Sequence, residues 1–123
     1  MTITIETVTI DCENPQRVAE FWLAFLDYET IANSTDSIQT ADPRGDGPRL
    51  LFTPAGGPTT EKNRLHFDLR PDDRDAEVAR ALALGAQRVD IGQTGDESWV
   101  VLADPEGNEF CVLQAQQRPK KLP

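Results

Sequence analysis

The sequence is short and acidic: its 123 residues carry 12 basic and 21 acidic side chains, for a formal net charge of −9 and a pI near 4.4. This length supports one domain, or one domain built from two small halves. The charge argues against a nucleic-acid-binding protein, which needs a basic surface, and against attraction to an anionic membrane. A hydrophobic content of 38% excludes a disordered acidic tail and predicts a folded core.

The sequence also predicts a compartment. No stretch approaches the roughly 20 apolar residues that span a bilayer, and the first residues lack the basic and apolar regions of a secretory signal. Cys12 and Cys111 lie far apart and without metal-binding spacing, which indicates two reduced thiols. We therefore expect a cytoplasmic protein.

The first half begins with a β-branched alternating segment, Thr4–Asp11, which predicts a strand. Asn14 is a good helix N-cap, and Pro15 suits the first helical position. The apolar residues that follow have helical spacing and predict a stripe wide enough to cover one sheet face: Val18, Phe21, Trp22, Phe25 and Leu26. Three short strands are predicted next, over Glu29–Ala32, Ser37–Thr40 and Arg49–Thr53, separated by turn residues.

The second half repeats this order after a Gly- and Pro-rich stretch that begins at Pro54. Arg64–Arg70 alternates and predicts a strand with one polar face. Asp72 or Asp73 can cap the next helix, and Gly85 suits its C-terminal end. Three more strands are predicted over Gln87–Ile91, Ser98–Ala103 and Glu109–Leu113, with a tight turn over Asp104–Asn108. The predicted organisation is one domain, with module one over residues 1–54, a linker over 54–62, module two over 63–115 and a frayed tail over 116–123.

A known family shares this arrangement. The doubled strand–helix–three-strand module, the segment Asp11–Pro15 leading into Phe21 and Trp22, and the closing turn Asp104–Phe110 resemble the vicinal oxygen chelate superfamily of glyoxalase, bleomycin-resistance and extradiol-dioxygenase domains. The resemblance covers essentially the whole chain. Within that superfamily, the chain is most similar to the glyoxalase-like branch. It implies an α+β fold in which two βαβββ modules form curved sheets around a cavity. It does not specify a reaction.

The resemblance also implies where a metal would bind. Metal-dependent members place four ligands, chiefly His and Glu, on the first and last strands of each module. By position these fall on Thr7, on His66, on Cys111, and on Arg49–Thr53, which offers no carboxylate or imidazole. A catalytic divalent site normally needs at least three protein ligands. Asp68 and Glu109, two residues from these positions, are the nearest further donors, and we predict no metal and no cofactor.

Other side chains have both a functional and a structural interpretation. His66, the only histidine, is either a general acid or base or a ligand-orienting donor in the cavity, or a strand residue bonded to Asp68, Glu109 or a backbone carbonyl. Cys111 has acidic and apolar neighbours, which raise a thiol pKa and favour an inert buried thiol over a nucleophile. Asp68 and Glu109 are either a carboxylate pair for proton transfer or ordinary exposed charges. Trp99 either stacks on a flat ligand or joins the core, where we also place Trp22.

The function expected from these residues is metal-independent binding of a small hydrophobic, aromatic or cationic molecule in the cavity. The expected ligand-binding residues are Thr7, Thr9, His66, Asp68, Trp99, Glu109 and Cys111. One alternative is a lyase or isomerase in which His66 and Glu109 are the catalytic residues, and another is a metal-dependent glyoxalase or dioxygenase. Exposed sheet edges favour a homodimer, and we expect no nucleic-acid or membrane partner.

Overall fold

The computed structural model describes residues 5–34, 36–55, 65–89 and 97–115. Module one contains β1 (Thr7–Cys12), α1 (Pro15–Leu26), β2 (Glu29–Asn33), β3 (Ile38–Ala41) and β4 (Arg49–Pro54). Module two contains β5 (Phe67–Leu69), α2 (Arg74–Ala83), β6 (Gln87–Arg88), β7 (Val100–Ala103) and β8 (Glu109–Val112). The predicted element order, strand–helix–three strands twice, is confirmed.

Each module forms one four-stranded mixed sheet with the same topology. The strand orders are β1-β4-β3-β2 and β5-β8-β7-β6. In both sheets the first and last strands are parallel neighbours, and the remaining neighbours are antiparallel. This is the α+β fold of two βαβββ modules that the sequence predicts. Neither helix in the described ranges is long and apolar enough to cross a bilayer.

Both helices begin and end where their sequences predict. The Asn14 side chain accepts a hydrogen bond from the backbone N–H of Arg17, and Pro15 follows as the first helical residue. Asp73, rather than Asp72, caps α2 by accepting from the N–H of Ala76. Gly85 follows α2 with a φ of 114°, a left-handed conformation that glycine adopts without a steric cost.

The two modules share one aromatic core around α1. The Trp22 ring lies 4.9 Å from that of Phe110 and 5.6 Å from that of Phe67, both in module two. Phe21 lies 5.9 Å from Phe110, and Phe25 lies 5.8 Å from it. Edge-on and tilted aromatic pairs at such distances stabilise a core beyond the area that they bury. The helix of module one therefore covers the sheet of module two as well as its own.

The strand limits differ from the sequence prediction by one to three residues; β7, for example, begins at Val100 rather than Ser98. Three of the differences affect other predictions. β5 begins at Phe67. His66, which lies inside the predicted strand over residues 64–70, therefore precedes the observed strand. Pro54, predicted to begin the linker, is the last residue of β4. β6 is assigned to Gln87 and Arg88. Val89 follows the assigned strand and still donates to the carbonyl of Val101, and residues 90 and 91 of the predicted strand fall outside the described residues. The predicted linker beyond residue 55 and the predicted tail over 116–123 also fall outside them.

Two turns with nearly the same sequence join the last two strands of each module. They are Asp42-Pro43-Arg44-Gly45-Asp46 and Asp104-Pro105-Glu106-Gly107-Asn108, and we call them the DPxG turns. In each turn the first aspartate accepts a hydrogen bond from the backbone N–H two residues later, at 2.9 Å. In each turn the glycine has a positive φ, of 75° and 90° respectively. The turns are thus structural counterparts.

The third residue of each DPxG turn, Arg44 or Glu106, forms hydrogen bonds with one end of α1. The Glu106 carboxylate accepts hydrogen bonds of 2.7 Å from the backbone N–H groups of Glu13 and Asn14, at the start of the helix. Arg44 donates to the carbonyl of Leu26 at the last turn. Arg80 of α2 adds bonds to the carbonyl of Phe25, at 2.7 Å, and to that of Ala24. A negative charge at the N-terminus and positive charges at the C-terminus both complement the helix dipole.

Candidate functional site

A groove of about 580 Å³ lies where the modules meet, between β1 and the start of β5. We call it the seam groove. Its apolar walls are formed by Val8, Ile10, Leu65 and Phe67, and its polar groups come from Thr9, Asp11, His66, Asn108 and Glu109. Because these residues come from both modules, neither module forms the groove by itself.

The floor of the seam groove is a buried hydrogen-bonded pair. The indole Nε1 of Trp22 donates to Asp104 Oδ2 over 2.9 Å, and each residue is 2% exposed. Asp104 also accepts from the side-chain amide nitrogen of Asn108 at both carboxylate oxygens, at 3.1 and 2.9 Å. This arrangement fixes Asn108 with its NH₂ toward Asp104 and its amide oxygen on the opposite side.

The remaining polar groups of the seam groove are mostly hydrogen-bond acceptors. Asp11 is oriented by the hydroxyl of Thr53, which donates to Asp11 Oδ1 over 2.9 Å. Glu109, at the first position of β8, provides a second carboxylate. With the amide oxygen of Asn108, these groups complement a ligand that carries donors or positive charge.

Three of the predicted site residues come together beside the groove. Asp68 of β5 is the register partner of Cys111 on β8, and His66 lies two residues before Asp68. His66 Nε2 is 3.0 Å from Asp68 Oδ1, with 46% and 55% of the two side chains exposed. Donor atoms of His66, Asp68 and Cys111 all lie within 4.8 Å of one another. The sequence left the partner of His66 open among Asp68, Glu109 and a backbone carbonyl, and the structure pairs it with Asp68.

The other predicted site residues are divided between the groove and its surroundings. Thr9, His66 and Glu109 line the seam groove, whereas Thr7, Asp68, Trp99 and Cys111 do not contribute to its lining. Trp99 is 42% exposed, so its core interpretation is wrong. Trp22 is in the core as expected. It also forms part of the groove, which its place in the helical stripe did not indicate.

The two cysteines have different environments. Cys12 is fully buried, and its Sγ donates to the carbonyl of Ile10 over 3.3 Å. Burial, together with the nearby carboxylates of Glu106, Asp104 and Asp11, raises the pKa of the Cys12 thiol to about 12. Such a thiol is protonated at neutral pH and is not a nucleophile. Cys111 is only partly buried, so the expectation of a buried inert thiol does not describe its position.

Sequence reasoning missed the roles of Asp104, Glu106 and Asn108. It interpreted the turn over Asp104–Asn108 as a feature of the fold alone, yet Asp104 and Asn108 line the seam groove. The signal that reveals them is the near repeat of the DPxG turn between the two modules. At the variable position it carries arginine in one module and glutamate in the other, which indicates different partners.

The family is now clear from comparison with known proteins. The model of the glyoxalase-like domain family matches residues 7–113. The chain belongs to this family. No curated protein sequence matches it closely. The fold is shared with solved structures of the glyoxalase/bleomycin-resistance/dioxygenase superfamily, at sequence identities that establish the fold alone.

Three of these structures are proteins with different described functions. A glyoxalase/bleomycin resistance protein/dioxygenase family enzyme from Burkholderia phytofirmans aligns with a TM-score of 0.71 and 16% identity, covering 93% of this chain and 100% of that one. The fosfomycin resistance protein FosX from Listeria monocytogenes, complexed with Mn(II), gives 0.69 and 15%, covering 94% and 92%. The antibiotic-binding protein TnmS3 from a Streptomyces species gives 0.65 and 22%, covering 94% and 99%.

The metal-binding positions of metal-dependent members do not fit the residues of this glyoxalase-like domain. Thr7 offers only a neutral hydroxyl, and β4, Arg49–Pro54, has neither a carboxylate nor an imidazole. His66 and Cys111 occupy the other two positions. The four positions thus provide two donors, fewer than the three protein ligands of a typical catalytic metal site. The function proposed below therefore includes no metal ion at these four positions.

Proposed function

We propose that this glyoxalase-like domain protein binds a small molecule with an apolar or aromatic body and a cationic group in the seam groove, without a metal. The observation that carries the proposal is the composition of the groove. Apolar walls from both modules lie next to the carboxylates of Asp11 and Glu109, in a volume of about 580 Å³. Ligand pockets of globular proteins commonly enclose about 300–1,000 Å³ and combine apolar walls with a few placed polar groups.

The division of polar and apolar groups favours one orientation of the ligand. Phe67, Val8 and Ile10 provide surface for an apolar body. Asp104 is saturated by Trp22, Asn108 and its own turn, so the floor binds no polar group of a ligand. Asp11 and Glu109 are therefore the residues that bind the positive charge of the ligand. Binding of a small molecule also agrees with the description of TnmS3 as an antibiotic-binding protein.

A thermal-shift screen tests the proposal. It compares matched sets of cationic, neutral and anionic aromatic compounds, each measured both with and without EDTA. We expect cationic members to raise the melting temperature with and without EDTA. Asp11→Asn and Glu109→Gln are expected to weaken that shift, whereas Glu29→Gln, on the exposed strand β2, is the control and retains it. Shifts that vanish with EDTA, or that are equal in the groove variants and wild type, would contradict the proposal.

A second candidate function is proton transfer by a lyase or isomerase, and the 3.0 Å contact between His66 and Asp68 favours it. A carboxylate that accepts from Nε2 fixes the imidazole tautomer and leaves Nδ1 as the base. Because His66 lines the seam groove, this nitrogen belongs to a side chain that a bound substrate contacts. For a compound that the protein turns over, His66→Asn is expected to lower kcat by about 10²–10⁴-fold while binding persists. An unchanged kcat would exclude this function.

We also propose that the protein is a cytoplasmic homodimer. All five residues of the edge strand β2 are exposed, including Ile31, at 43%. An exposed edge of this length favours pairing with a second strand. Sedimentation analysis is expected to give a dimer, and Ile31→Lys is expected to shift it toward monomer. A monomer at all concentrations would contradict the dimer.

A further inference from the structure

We propose that a second groove binds a basic amino acid, through its carboxylate and its cationic groups. This groove has a volume of about 820 Å³ and lies where the DPxG turn of module one meets the end of β5 and α2. We call it the counterpart groove. Binding there is separate from the binding proposed for the seam groove and does not depend on it, because no residue lines both grooves.

The counterpart groove is the equivalent of the seam groove under the internal repeat. In both modules the first strand has two residues that pair with buried residues of the last strand, and Ile10 and Leu69 are the second of these. Ile10 lines the seam groove, and Leu69 lines the counterpart groove. The residue that follows each of them, Asp11 or Arg70, lines the same groove. The counterpart groove thus has a guanidinium where the seam groove has a carboxylate, which predicts a different ligand.

Several charged side chains of the counterpart groove are paired within the protein. The Asp42 side chain is 3% exposed and accepts hydrogen bonds from Arg44 and from the backbone of its own turn. Glu77 accepts from Arg80 at 2.7 Å, and Arg80 also donates to two carbonyls at the end of α1. These groups form a fixed wall, as Asp104 does in the seam groove, and they are not the groups that select a ligand.

The guanidinium of Arg70 is only partly occupied. Its Nη1 donates to the carbonyl of Gln114 over 2.6 Å, which fixes one end of the group. Among the residues that the structure describes, its Nε and Nη2 have no acceptor. Two N–H groups on one edge of a guanidinium match the two oxygens of a carboxylate, and such charged pairs are stronger than neutral hydrogen bonds. Arg70 is therefore the residue that we expect to bind the carboxylate of the ligand.

Carboxylates of the counterpart groove provide the complementary charge. Asp27, Asp46 and Asp72 line the groove, and none of them forms an ion pair with another residue in the described ranges. One partly occupied guanidinium and three such carboxylates complement a molecule with one negative and more than one positive group. Lysine and arginine have this pattern, with an α-carboxylate, an α-ammonium and a cationic side chain. Leu26 and Leu69 provide apolar surface for the aliphatic stem, and the volume is in the usual range of ligand pockets.

Calorimetry with matched ligands tests the site. Lysine is compared with cadaverine, and arginine with agmatine, because the second molecule of each pair is the first without its α-carboxylate. We expect both amino acids to bind saturably. Each decarboxylated analogue is expected to bind at least about tenfold more weakly, because it loses the charged hydrogen bonds to Arg70.

Variants separate recognition of the carboxylate from recognition of the cationic groups. Arg70→Gln is expected to weaken lysine binding about tenfold and to leave cadaverine binding unchanged, so that the preference for lysine disappears. Asp72→Asn is expected to weaken the binding of both ligands. Asp36→Asn, at an exposed position outside the groove, is the control and changes neither. Arg70 and Asp72 are exposed, so both variants are expected to fold.

Three results would overturn the amino-acid site: no saturable binding of either amino acid, equal binding of lysine and cadaverine by wild type, or a preference for lysine that persists in Arg70→Gln. Failure here is distinguishable from failure of the proposed function. Thermal shifts caused by aromatic cations depend on Asp11 and Glu109, whereas the binding of lysine depends on Arg70 and Asp72.

Discussion

The carboxylate of Glu106 accepts a hydrogen bond of 2.7 Å from the backbone N–H of Asn14, which lies 92 residues earlier in the chain. A turn of module two thereby supplies a partner for the N-terminus of the helix of module one. The first N–H groups of a helix have no acceptor within the helix, and the buried Glu106 carboxylate accepts from the N–H of the cap residue Asn14 and from that of Glu13 just before it. The modules are joined by this contact as well as by their shared aromatic core.

Replacing Glu106 tests how much its carboxylate contributes to the stability of the protein. Glu106→Gln puts an amide NH₂ against one backbone N–H group and removes the charge, and Glu106 is only 5% exposed. Hydrogen bonds to charged groups contribute about 1.5–3 kcal/mol, so we expect the free energy of unfolding in urea to fall by about 2 kcal/mol. Glu29→Gln, on exposed β2, is the control and is expected to change it by less than about 0.5 kcal/mol. Equal effects would show that the Glu106 contact is not stabilising.

The pair of tryptophans gives a second stability test. Trp22→Phe removes the indole N–H that donates to Asp104 and leaves that buried carboxylate with one donor fewer. We expect a loss of about 2–4 kcal/mol, from the missing hydrogen bond and the smaller ring. Trp99→Phe, at a residue that is 42% exposed, is expected to be nearly neutral. A melting temperature lowered equally by both substitutions would contradict the structural difference between them.

Alkaline pH is expected to destabilise the protein through Cys12. Burial raises the pKa of this thiol from 9.0 to about 12 in the folded protein. Above pH 9 the unfolded chain therefore loses a proton that the folded one keeps, and stability falls as pH rises toward 12, by at most about 1.4 kcal/mol per pH unit. Burial also raises the pKa of Tyr28, which adds a loss of the same sign at still higher pH.

Cys12→Ala separates the two groups. We expect it to flatten the decline that begins near pH 9 and to leave the tyrosine contribution. In wild type, a thiol reagent at pH 8 is expected to modify the partly buried Cys111 and to reach Cys12 only after unfolding. Rapid modification of both thiols in the native protein would contradict the environment described for Cys12.

Acidic pH tests the DPxG turn of module one. Asp42 accepts from the Arg44 guanidinium and from the backbone of its own turn, and these bonds lower the pKa of its carboxyl group. Its stabilising contribution is complete above about pH 4, the ordinary range of the group, and is lost as pH falls below that. Asp42→Asn is thus expected to destabilise the protein at pH 7 but progressively less below pH 4. Asp36→Asn, at an exposed position, is the control, and a pH-independent effect of Asp42→Asn would refute this account.

The elements defined by local signals could be predicted from sequence. Asn14 and Pro15 place the start of α1 because capping and a fixed φ act within a few residues. Gly85 marks the end of α2 for a similar local reason. The apolar stripe of α1 identifies Trp22 as a core residue, but not as a groove residue, since helical periodicity does not reveal what lies across the core.

The site depended on relationships that a single strand does not contain. His66 and Asp68 were expected to share a face, but the proximity of Cys111 follows from the register of β5 against β8. The contact between Glu106 and Asn14 joins distant segments and leaves no periodic pattern. Trp99 could not be placed because aromatic residues serve both core and surface, and only the tertiary structure distinguishes these.

The attachment of α1 at both ends affects how the molecule comes apart. Glu106 and Arg80 of module two bind the two ends of this helix, so separation of the modules exposes polar groups at each end as well as aromatic surface. A half-length fragment would lack both the partners of its helix and the other side of its core. We therefore expect the two modules to unfold together, so that damage to one half also lowers the stability of the other.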